Sequence, residues 1–272
     1  MPVLREFDIQ SVRPWYQPTV DTSATLKFPR PFVAPPRLPH GFRRLDISCN
    51  ANIRVKSTLQ NITGSHADCH ITTWHDTTLH GGAVHVFALA PGDLEFLTGE
   101  HMRNRSDPSF VHVNFERAFV TPPKVVVFFN YIDLDQNHSW RLRTTATDID
   151  VKGFTLKIET WGDTFFHAAQ ACWIAYPEDR EHIFSASLNT MDIRPAWNPE
   201  LTQSRRVTFQ DVEFLKDPSV FIALNFIDID HKTNLRMNPT VEDVSRTGLV
   251  LHIDSWHDTI LYAAGVSIIA FN

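Results

Sequence analysis

The sequence predicts an all-β protein made of three similar units, each the size of a small antiparallel β-sandwich. Three observations support this fold class. A short tryptophan motif occurs three times, the residues around it recur at fixed spacings, and the apolar runs alternate with the period of a β-strand. No stretch shows a sustained period of 3.6 residues, so we expect few helices.

The tryptophan motif is a Thr or Ser followed by Trp, any residue, Asp and Thr. Its copies are TTWHDT at 72–77, ETWGDT at 159–164 and DSWHDT at 254–259. The tryptophans are 87 and 95 residues apart, which indicates internal duplication.

The repeat extends well beyond the motif. In each copy a Pro is followed after 10 residues by an Asp, after a further 8 by an Arg, and after a further 20 by the motif Trp. The aligned sets are Pro36, Asp46, Arg54 and Trp74; Pro123, Asp133, Arg141 and Trp161; and Pro218, Asp228, Arg236 and Trp256. We therefore divide the chain into repeat 1 (1–90), repeat 2 (91–177) and repeat 3 (178–272), with joints near Pro91-Gly92 and Pro177.

Individual runs within the repeats have the patterns of strands. KVVVFFNYI is almost unbroken and apolar, as expected of a strand covered on both faces. GFTLKIETW alternates, with Phe154, Leu156 and Ile158 on one side, and short runs are separated by Pro, Asn, Asp and Gly turns. These features predict antiparallel sheets.

The alternation places all three motif tryptophans out of phase with the core, at the end of a strand. Arg54, Arg141 and Arg236 also fall on the polar side of their strands. Exposed aromatic rings beside arginines suit a neutral, hydroxyl-rich ligand, because a ring packs on the C–H face of a sugar and the guanidinium donates to vicinal oxygens. The alternative is that each Trp packs at a sheet edge, and we expect the motif Asp and Thr to satisfy backbone groups of a turn.

Composition excludes several classes of protein. The chain has 272 residues, a net charge of −6 and a pI near 6.1, which argues against a nucleic-acid-binding surface. It has no apolar run long enough for a transmembrane helix and no signal-peptide pattern. Three cysteines form no framework, so we expect a cytoplasmic protein, with release by an unconventional route left open.

Rival functions have weaker support. DLDQN (133–137) and DIDHK (228–232) begin like calcium loops but lack the Gly and Glu that such loops need. The histidine pairs 66/70 and 80/85 have no matching cysteines for zinc. A glycosidase would need paired carboxylates across a cleft, which the repeats do not indicate. We expect no enzymatic activity, metal or cofactor; an interaction scaffold without sugar binding remains the alternative.

Taken together, the pattern resembles the H-type lectin domain, found in snail agglutinins and at the C-terminal end of discoidins. Repeat 2 carries it most fully, in FERAFVTPPKVVVFFNYIDLDQNHSWRLR, GFTLKIETWGDT and ACWIAY, and repeat 3 follows closely. Repeat 1 departs most, with LPHGFRRLDI in place of the buried strand and no Gly-Phe before its motif. The resemblance implies six-stranded sandwiches, no catalysis, no metal, and binding of galactose-type sugars, above all N-acetylgalactosamine.

The resemblance also implies site residues, with the sugar lying between neighbouring domains. The Arg and Trp positions are those aligned above; the residue after Trp is His75, Gly162 or His257; and the aromatic position six past Trp is His80, His167 or Tyr262. The resemblance also implies a contact from an Asp of an N-terminal loop, for which the candidates are Asp21, Asn104 or Asp107, and Asn198. Only repeat 3 keeps the tyrosine, so we expect it to be the most intact.

Because the family forms trimers, three tandem units predict a pseudo-trimer within one chain. Units that trimerise across chains, and a further homo-oligomer of pseudo-trimers, remain alternatives. The expected partners are glycans with terminal galactose or N-acetylgalactosamine, with no nucleic acid and no membrane insertion. Ile71, Ile158 and Ile253 stand where secreted family members have a disulfide cysteine, which agrees with a reducing compartment.

Overall fold

The computed structural model describes residues 2–272, which form eighteen β-strands and two single-turn 3-10 helices, Ile9–Ser11 and Thr190–Asp192. Repeat 1 contains β1 (Val3–Asp8), β2 (Asp21–Lys27), β3 (His40–Ile47), β4 (Ile53–Gln60), β5 (His66–Thr72) and β6 (Leu79–Ala88). Repeat 2 contains β7 (Leu97–Asn104), β8 (Phe110–Asn114), β9 (Lys124–Leu134), β10 (Trp140–Thr147), β11 (Gly153–Glu159) and β12 (Phe166–Tyr176). Repeat 3 contains β13 (Ile183–Asn189), β14 (Ser204–Thr208), β15 (Ser219–Ile229), β16 (Leu235–Ser245), β17 (Gly248–Asp254) and β18 (Leu261–Phe271).

The strands confirm the predicted all-β class and the predicted phases. Strand β9 is covered on both faces over most of its length, and β11 buries Phe154, Leu156 and Ile158 while its other side is partly exposed. In β10 Leu142 is buried and Arg143 is exposed. Within residues 2–272 no helix is long and apolar enough to cross a membrane.

Each repeat divides its six strands between two antiparallel half-sheets. The orders are β1-β6-β3 and β2-β5-β4 in repeat 1, β7-β12-β9 and β8-β11-β10 in repeat 2, and β13-β18-β15 and β14-β17-β16 in repeat 3. Repeat 1 therefore has the same topology as the others, although its sequence departs most. Strand β3 forms from HGFRRLDI, and Phe42, Leu45 and Ile47 supply the buried face.

The half-sheets join across the repeat boundaries and close the chain into a ring. Strand β4 of repeat 1 pairs with β9 of repeat 2, β10 of repeat 2 with β15 of repeat 3, and β16 of repeat 3 with β3 of repeat 1. Each of the three six-stranded sheets thus takes three strands from each of two repeats. The predicted intrachain pseudo-trimer is confirmed, and its units are joined by continuous sheets.

The three repeats meet at a pseudo-threefold axis that is packed with aromatic rings. Phe87 lies against Phe96, Phe221 and Phe271, with ring centroids 4.8–5.9 Å apart. The equivalent residues 41, 128 and 223 are Gly, Phe and Ala: a Cβ placed on Gly41 would lie 2.5 Å from Phe128 Cδ2 and 2.8 Å from Ala223 Cβ. One large side chain therefore fills a space that three repeats share.

Hydrogen bonds from equivalent positions link neighbouring repeats beside this axis. The Ile222 N–H donates to Nδ1 of His85 (3.0 Å), and the Ser267 hydroxyl donates to the Val127 carbonyl (2.7 Å). Burial lowers the pKa of His85 to about 3, so the imidazole is neutral and its Nδ1 can accept. These bonds set the relative position of the repeats and, with it, the sites at their boundaries.

Candidate functional site

The predicted arginines lie on the strands that join one repeat to the next. Arg54 is on β4, Arg141 on β10 and Arg236 on β16. In the antiparallel register each faces an Asp of the following repeat: Arg54 pairs with Asp133, Arg141 with Asp228 and Arg236 with Asp46. We name the sites by the repeats that form them: site 1/2 around Arg54, site 2/3 around Arg141 and site 3/1 around Arg236.

Each arginine is also held by the Asp of its own tryptophan motif. Arg54 Nη1 donates to Asp76 Oδ1 at 2.6 Å and Arg236 Nη1 to Asp258 Oδ1 at 2.5 Å, and Arg141 pairs with Asp163 in the same way. Each of these carboxylates also accepts from its own backbone N–H in the turn, in line with the expected capping role, and the bond to the arginine is an additional role. The carboxylate lies at the exposed end of the site and fixes the guanidinium through a charge-assisted hydrogen bond.

The motif Thr has the structural role predicted for it. The hydroxyls of Thr77, Thr164 and Thr259 donate to the carbonyls of Asn52, Ser139 and Asn234, at 2.6, 2.5 and 2.8 Å. These bonds tie the motif turn to the loop that precedes the arginine strand, and so place Trp, Asp and Arg of one repeat side by side.

The motif tryptophans are partly exposed and reach across the boundary, which confirms their position out of phase with the core. Trp74 packs against Tyr131 of repeat 2, with ring centroids 5.2 Å apart, and Trp161 packs against Phe226 of repeat 3 at 5.0 Å. At site 3/1 the equivalent residue is Arg44. At sites 1/2 and 2/3 the alternative that each Trp packs at a sheet edge is thus correct for part of the indole ring. The rest of the ring faces solvent.

The Asp across each boundary is the feature that sequence reasoning missed. Asp46, Asp133 and Asp228 are largely buried, and in each the Oδ1 atom has no hydrogen-bond partner among residues 2–272. The nearest Arg Nε atoms are 3.6, 3.9 and 3.5 Å away. Desolvation raises the pKa of all three carboxyls, and that of Asp228 to about 6, despite the nearby Arg141 and the Trp161 indole. A buried acceptor without a partner beside a guanidinium is suited to bind a hydroxyl.

The residues six positions past each Trp lie at a different site from that Trp. His80 lines site 3/1, beside Asp46 and Arg236. His167 lies at site 1/2, near Asp133, and its Nε2 is 3.4 Å from the side-chain amide nitrogen of Asn52. Each of these residues thus joins the site of the preceding repeat and not that of its own Trp.

Tyr262 follows the same rule and belongs to site 2/3, near Asp228 and Arg141, where its hydroxyl donates to Asp230 (2.9 Å). The expectation that repeat 3 has the most intact site assumed that Tyr262 acts beside Trp256, whereas the structure places Tyr262 in site 2/3. Site 2/3 combines Gly162 with Tyr262, site 1/2 combines His75 with His167, and site 3/1 combines His257 with His80.

The loop candidates form hydrogen bonds within their own repeats. Asp21 accepts from His70 and Thr72 at 2.9 Å each, Asp107 accepts from the Asn104 amides at 2.7 and 3.0 Å, and Asn198 donates to Glu200 at 3.1 Å. Within residues 2–272, none of them bonds to a site arginine. Their assignment to sugar contacts stays a prediction.

Site 3/1 contains a cavity of about 580 Å³, within the usual range for small-molecule sites of roughly 300–1,000 Å³. Arg44 stands where the other sites have an aromatic ring, and Asp8 (2.6 Å) and Gln10 (2.9 Å) hold its guanidinium. The lining residues are Gln10, Trp15, Arg44, Asp46, His80, Asn234, Arg236, Asn238, Trp256 and His257.

Lowering the pH from 7 to 5 is expected to weaken ligand binding at site 2/3 about tenfold, because Asp228, with a pKa of about 6, passes from mostly ionised to mostly protonated. Because the pKa of Asp228 is raised in the folded protein, its protonation stabilises the fold as the pH falls through 6 towards 4. The weaker ligand binding at pH 5 is therefore not caused by destabilisation of the fold through Asp228. The measurement is titration calorimetry at both pH values with Arg54 and Arg236 replaced by Ala. Asp228→Asn should remove the difference; an unchanged pH dependence in that variant would contradict the assignment.

Comparison with known proteins identifies a family and several similar proteins. A model of the H-type lectin domain matches residues 23–89, 110–176 and 204–271. A Fuscovulum blasticum protein described as ATP synthase subunits region ORF 7 is 32% identical over 69 residues, which are 25% of this chain and 60% of that protein. Two structures of discoidin II from Dictyostelium discoideum, one wild-type and one recombinant, are each 16% identical at a TM-score of 0.29. They align over 64% of this chain and 82% and 83% of theirs.

The three matched segments make up most of the chain, and each contains one complete set of the Asp, Arg and Trp positions described above. H-type lectin domains bind carbohydrate and are not enzymes. The chain therefore belongs to the H-type lectin domain family, of which it carries three copies.

Proposed function

We propose that this protein is a multivalent lectin for galactose-type sugars, most of all N-acetylgalactosamine, and that it binds them without a metal. The observation that carries the proposal is the recurrence of one constellation at all three boundaries. Each has a fixed Arg, a partly exposed Trp, and a largely buried Asp with an oxygen that is unpartnered within residues 2–272, and the Asp comes from the neighbouring repeat.

The constellation suits two adjacent sugar hydroxyls. The guanidinium can only donate and the ionised carboxylate can only accept, whereas a hydroxyl does both. At site 3/1 the Arg236 Nε and Asp46 Oδ1 atoms lie 3.6 Å apart, so neighbouring hydroxyls can bond to one each. The exposed part of Trp256 offers an apolar surface for the C–H face of the ring. The preference for N-acetylgalactosamine rests on the family resemblance.

Each site is expected to be weak alone and effective in combination. Single hydrogen bonds contribute about 0.5–1.5 kcal/mol net, and the sites are open to solvent on one side. Three sites on one rigid ring can engage several sugars of one glycan surface, where avidity exceeds single-site affinity by roughly 10²–10⁴. We propose terminal galactose or N-acetylgalactosamine on glycans or glycoconjugates as the partner.

A reducing compartment, the cytoplasm, is the location we propose. It is supported by three cysteines that are all free, of which Cys69 and Cys172 are buried and Cys49 is partly exposed.

Titration calorimetry with N-acetylgalactosamine in the presence of EDTA is expected to give saturable heat, and N-acetylglucosamine should give much less because its hydroxyl at carbon 4 has the opposite configuration. The stoichiometry then counts the working sites. No heat with any galactose-type sugar, followed by a blank glycan array, would overturn the lectin proposal and leave an interaction scaffold on this fold. Loss of binding in EDTA alone would contradict the metal-free mode.

A further inference from the structure

Two of the three repeats carry an exposed aromatic loop that the proposed sugar sites do not require. The loops contain RPWY at 13–16 in repeat 1 and RPAW at 194–197 in repeat 3. Trp15 is 58% exposed and Trp197 83% exposed. The corresponding segment of repeat 2, NRSDPS at 104–109, has no aromatic residue.

The loop of repeat 1 is held firmly despite its exposed ring. Arg13 is buried, and its Nε and Nη2 donate to the Thr22 hydroxyl and the Leu79 carbonyl, both at 2.8 Å. The preceding turn is capped by Asp8, which accepts from the Gln10 N–H at 2.8 Å. Because these bonds fix the segment that leads into the loop, the position of Trp15 is restricted, which lowers the entropic cost of binding against it.

Trp15 lines the same cavity as the residues of site 3/1. Its ring lies edge-on to His80, with centroids 6.2 Å apart, and its carbonyl is 3.4 Å from His80 Nδ1. Trp256, from repeat 3, lines the cavity as well. One cavity therefore has two partly exposed tryptophans from different repeats, with Arg236 and Asp46 also in its wall.

We propose that site 3/1 binds a saccharide of at least two residues. On the basis of the function proposed above, the terminal residue binds Arg236, Asp46 and Trp256. The next residue packs its C–H face on Trp15, and Gln10 and His80 offer polar contacts to its hydroxyls. Site 1/2 has no equivalent aromatic loop, so it takes the terminal residue alone, and the three sites of this chain differ in the glycan length that they select.

The test compares N-acetylgalactosamine with a panel of disaccharides that have it α- or β-linked to galactose. Titrations use the full chain carrying Arg54→Ala and Arg141→Ala, so that site 3/1 remains, and are repeated in the otherwise unchanged chain. At least one disaccharide is expected to bind more tightly than the monosaccharide. Trp15→Ala should reduce that disaccharide affinity about tenfold and the monosaccharide affinity much less, as expected for one aromatic contact.

Trp197→Ala is the matched control, since it removes an exposed tryptophan from the corresponding loop of repeat 3 and should leave site 3/1 unchanged. Trp15→Phe should restore much of the disaccharide gain. The inference is overturned if N-acetylgalactosamine binds and no disaccharide binds more tightly, or if Trp15→Ala affects both ligands equally. Absence of binding by every galactose-type sugar would instead refute the proposed function and this inference together.

Discussion

Replacing Gly41 with phenylalanine is expected to destabilise the protein by about 3 kcal/mol or more, at or above the upper end of the usual cost of overpacking. Gly41 lies where the three repeats meet, and even a single Cβ there would lie 2.5 Å from the Phe128 ring and 2.8 Å from Ala223. The surrounding aromatic rings are buried and cannot move into solvent. Urea unfolding followed by tryptophan fluorescence measures the loss.

The second half of this experiment tests whether the three equivalent positions share one space. Phe128→Ala alone should cost about 3–5 kcal/mol through the cavity it leaves. The double variant, Gly41→Phe with Phe128→Ala, moves the large side chain from one repeat to another and should recover much of both losses. Gly92→Ala is the control, because nothing lies within 4 Å of a Cβ at that position. Additive losses in the double variant would mean that the two side chains do not compete for the same volume.

Much of the fold could be predicted because its signals are local. The alternation of Phe154, Leu156 and Ile158 placed the buried face of β11, and the same period put the motif tryptophans on the other side. The spacing from Pro to Asp, Arg and Trp identified the repeats without knowledge of which strands pair. Even repeat 1 keeps enough buried apolar residues to form β3 where the sequence pattern is weakest.

The membership of each site could not be predicted in the same way. Asp133 and Arg141 are eight residues apart in one repeat, yet Asp133 faces Arg54 and Arg141 faces Asp228. Which strands pair across a boundary is a long-range choice that no local pattern encodes. The available signal was the presence of this Asp in all three copies, on a strand that is otherwise apolar.

The same topology explains why His80, His167 and Tyr262 belong to a different site from the Trp of their own repeat. The turn after each Trp leads into β6, β12 or β18, which pair with β3, β9 or β15, the strands that carry the buried Asp. The residue six past Trp consequently lies beside the Asp of its own repeat, and this Asp completes the site of the preceding repeat. Alignment of the sequence motif groups each of these residues with the Trp nearest to it in sequence, and therefore assigns it to the wrong repeat boundary.

Removing all three site arginines is expected to abolish sugar binding, with at least a hundredfold loss of affinity at each site. Bonds to a charged group contribute about 1.5–3 kcal/mol, and each guanidinium lies between two carboxylates that depend on it. Without Arg236 the exposed Asp258, whose pKa this arginine holds at about 2, loses its partner, and the buried Asp46 loses its nearest cation. The ligand would then face two uncompensated negative charges.

Single variants separate the three sites. Arg54→Ala, Arg141→Ala and Arg236→Ala should each lower the calorimetric stoichiometry by one if all three sites bind, with the remaining sites unchanged. Arg→Lys keeps the charge but loses the planar fork, so it should preserve folding and still weaken binding strongly. Arg246→Ala is the control, because the ion pair of Arg246 with Glu213 is exposed and long, at 3.9 Å, and its loss should change stability little.

A thermal melt without sugar distinguishes loss of the site from loss of the fold. The arginine strands form the sheet joints between repeats, so the alanine variants should also melt somewhat earlier, whereas the lysine variants should melt close to the unchanged chain. If the triple lysine variant melts normally and still binds N-acetylgalactosamine at full stoichiometry, the arginines are structural and the sugar lies elsewhere. If it melts normally and binds nothing, the fork and its two carboxylates are the recognition element, because no other part of the site has changed.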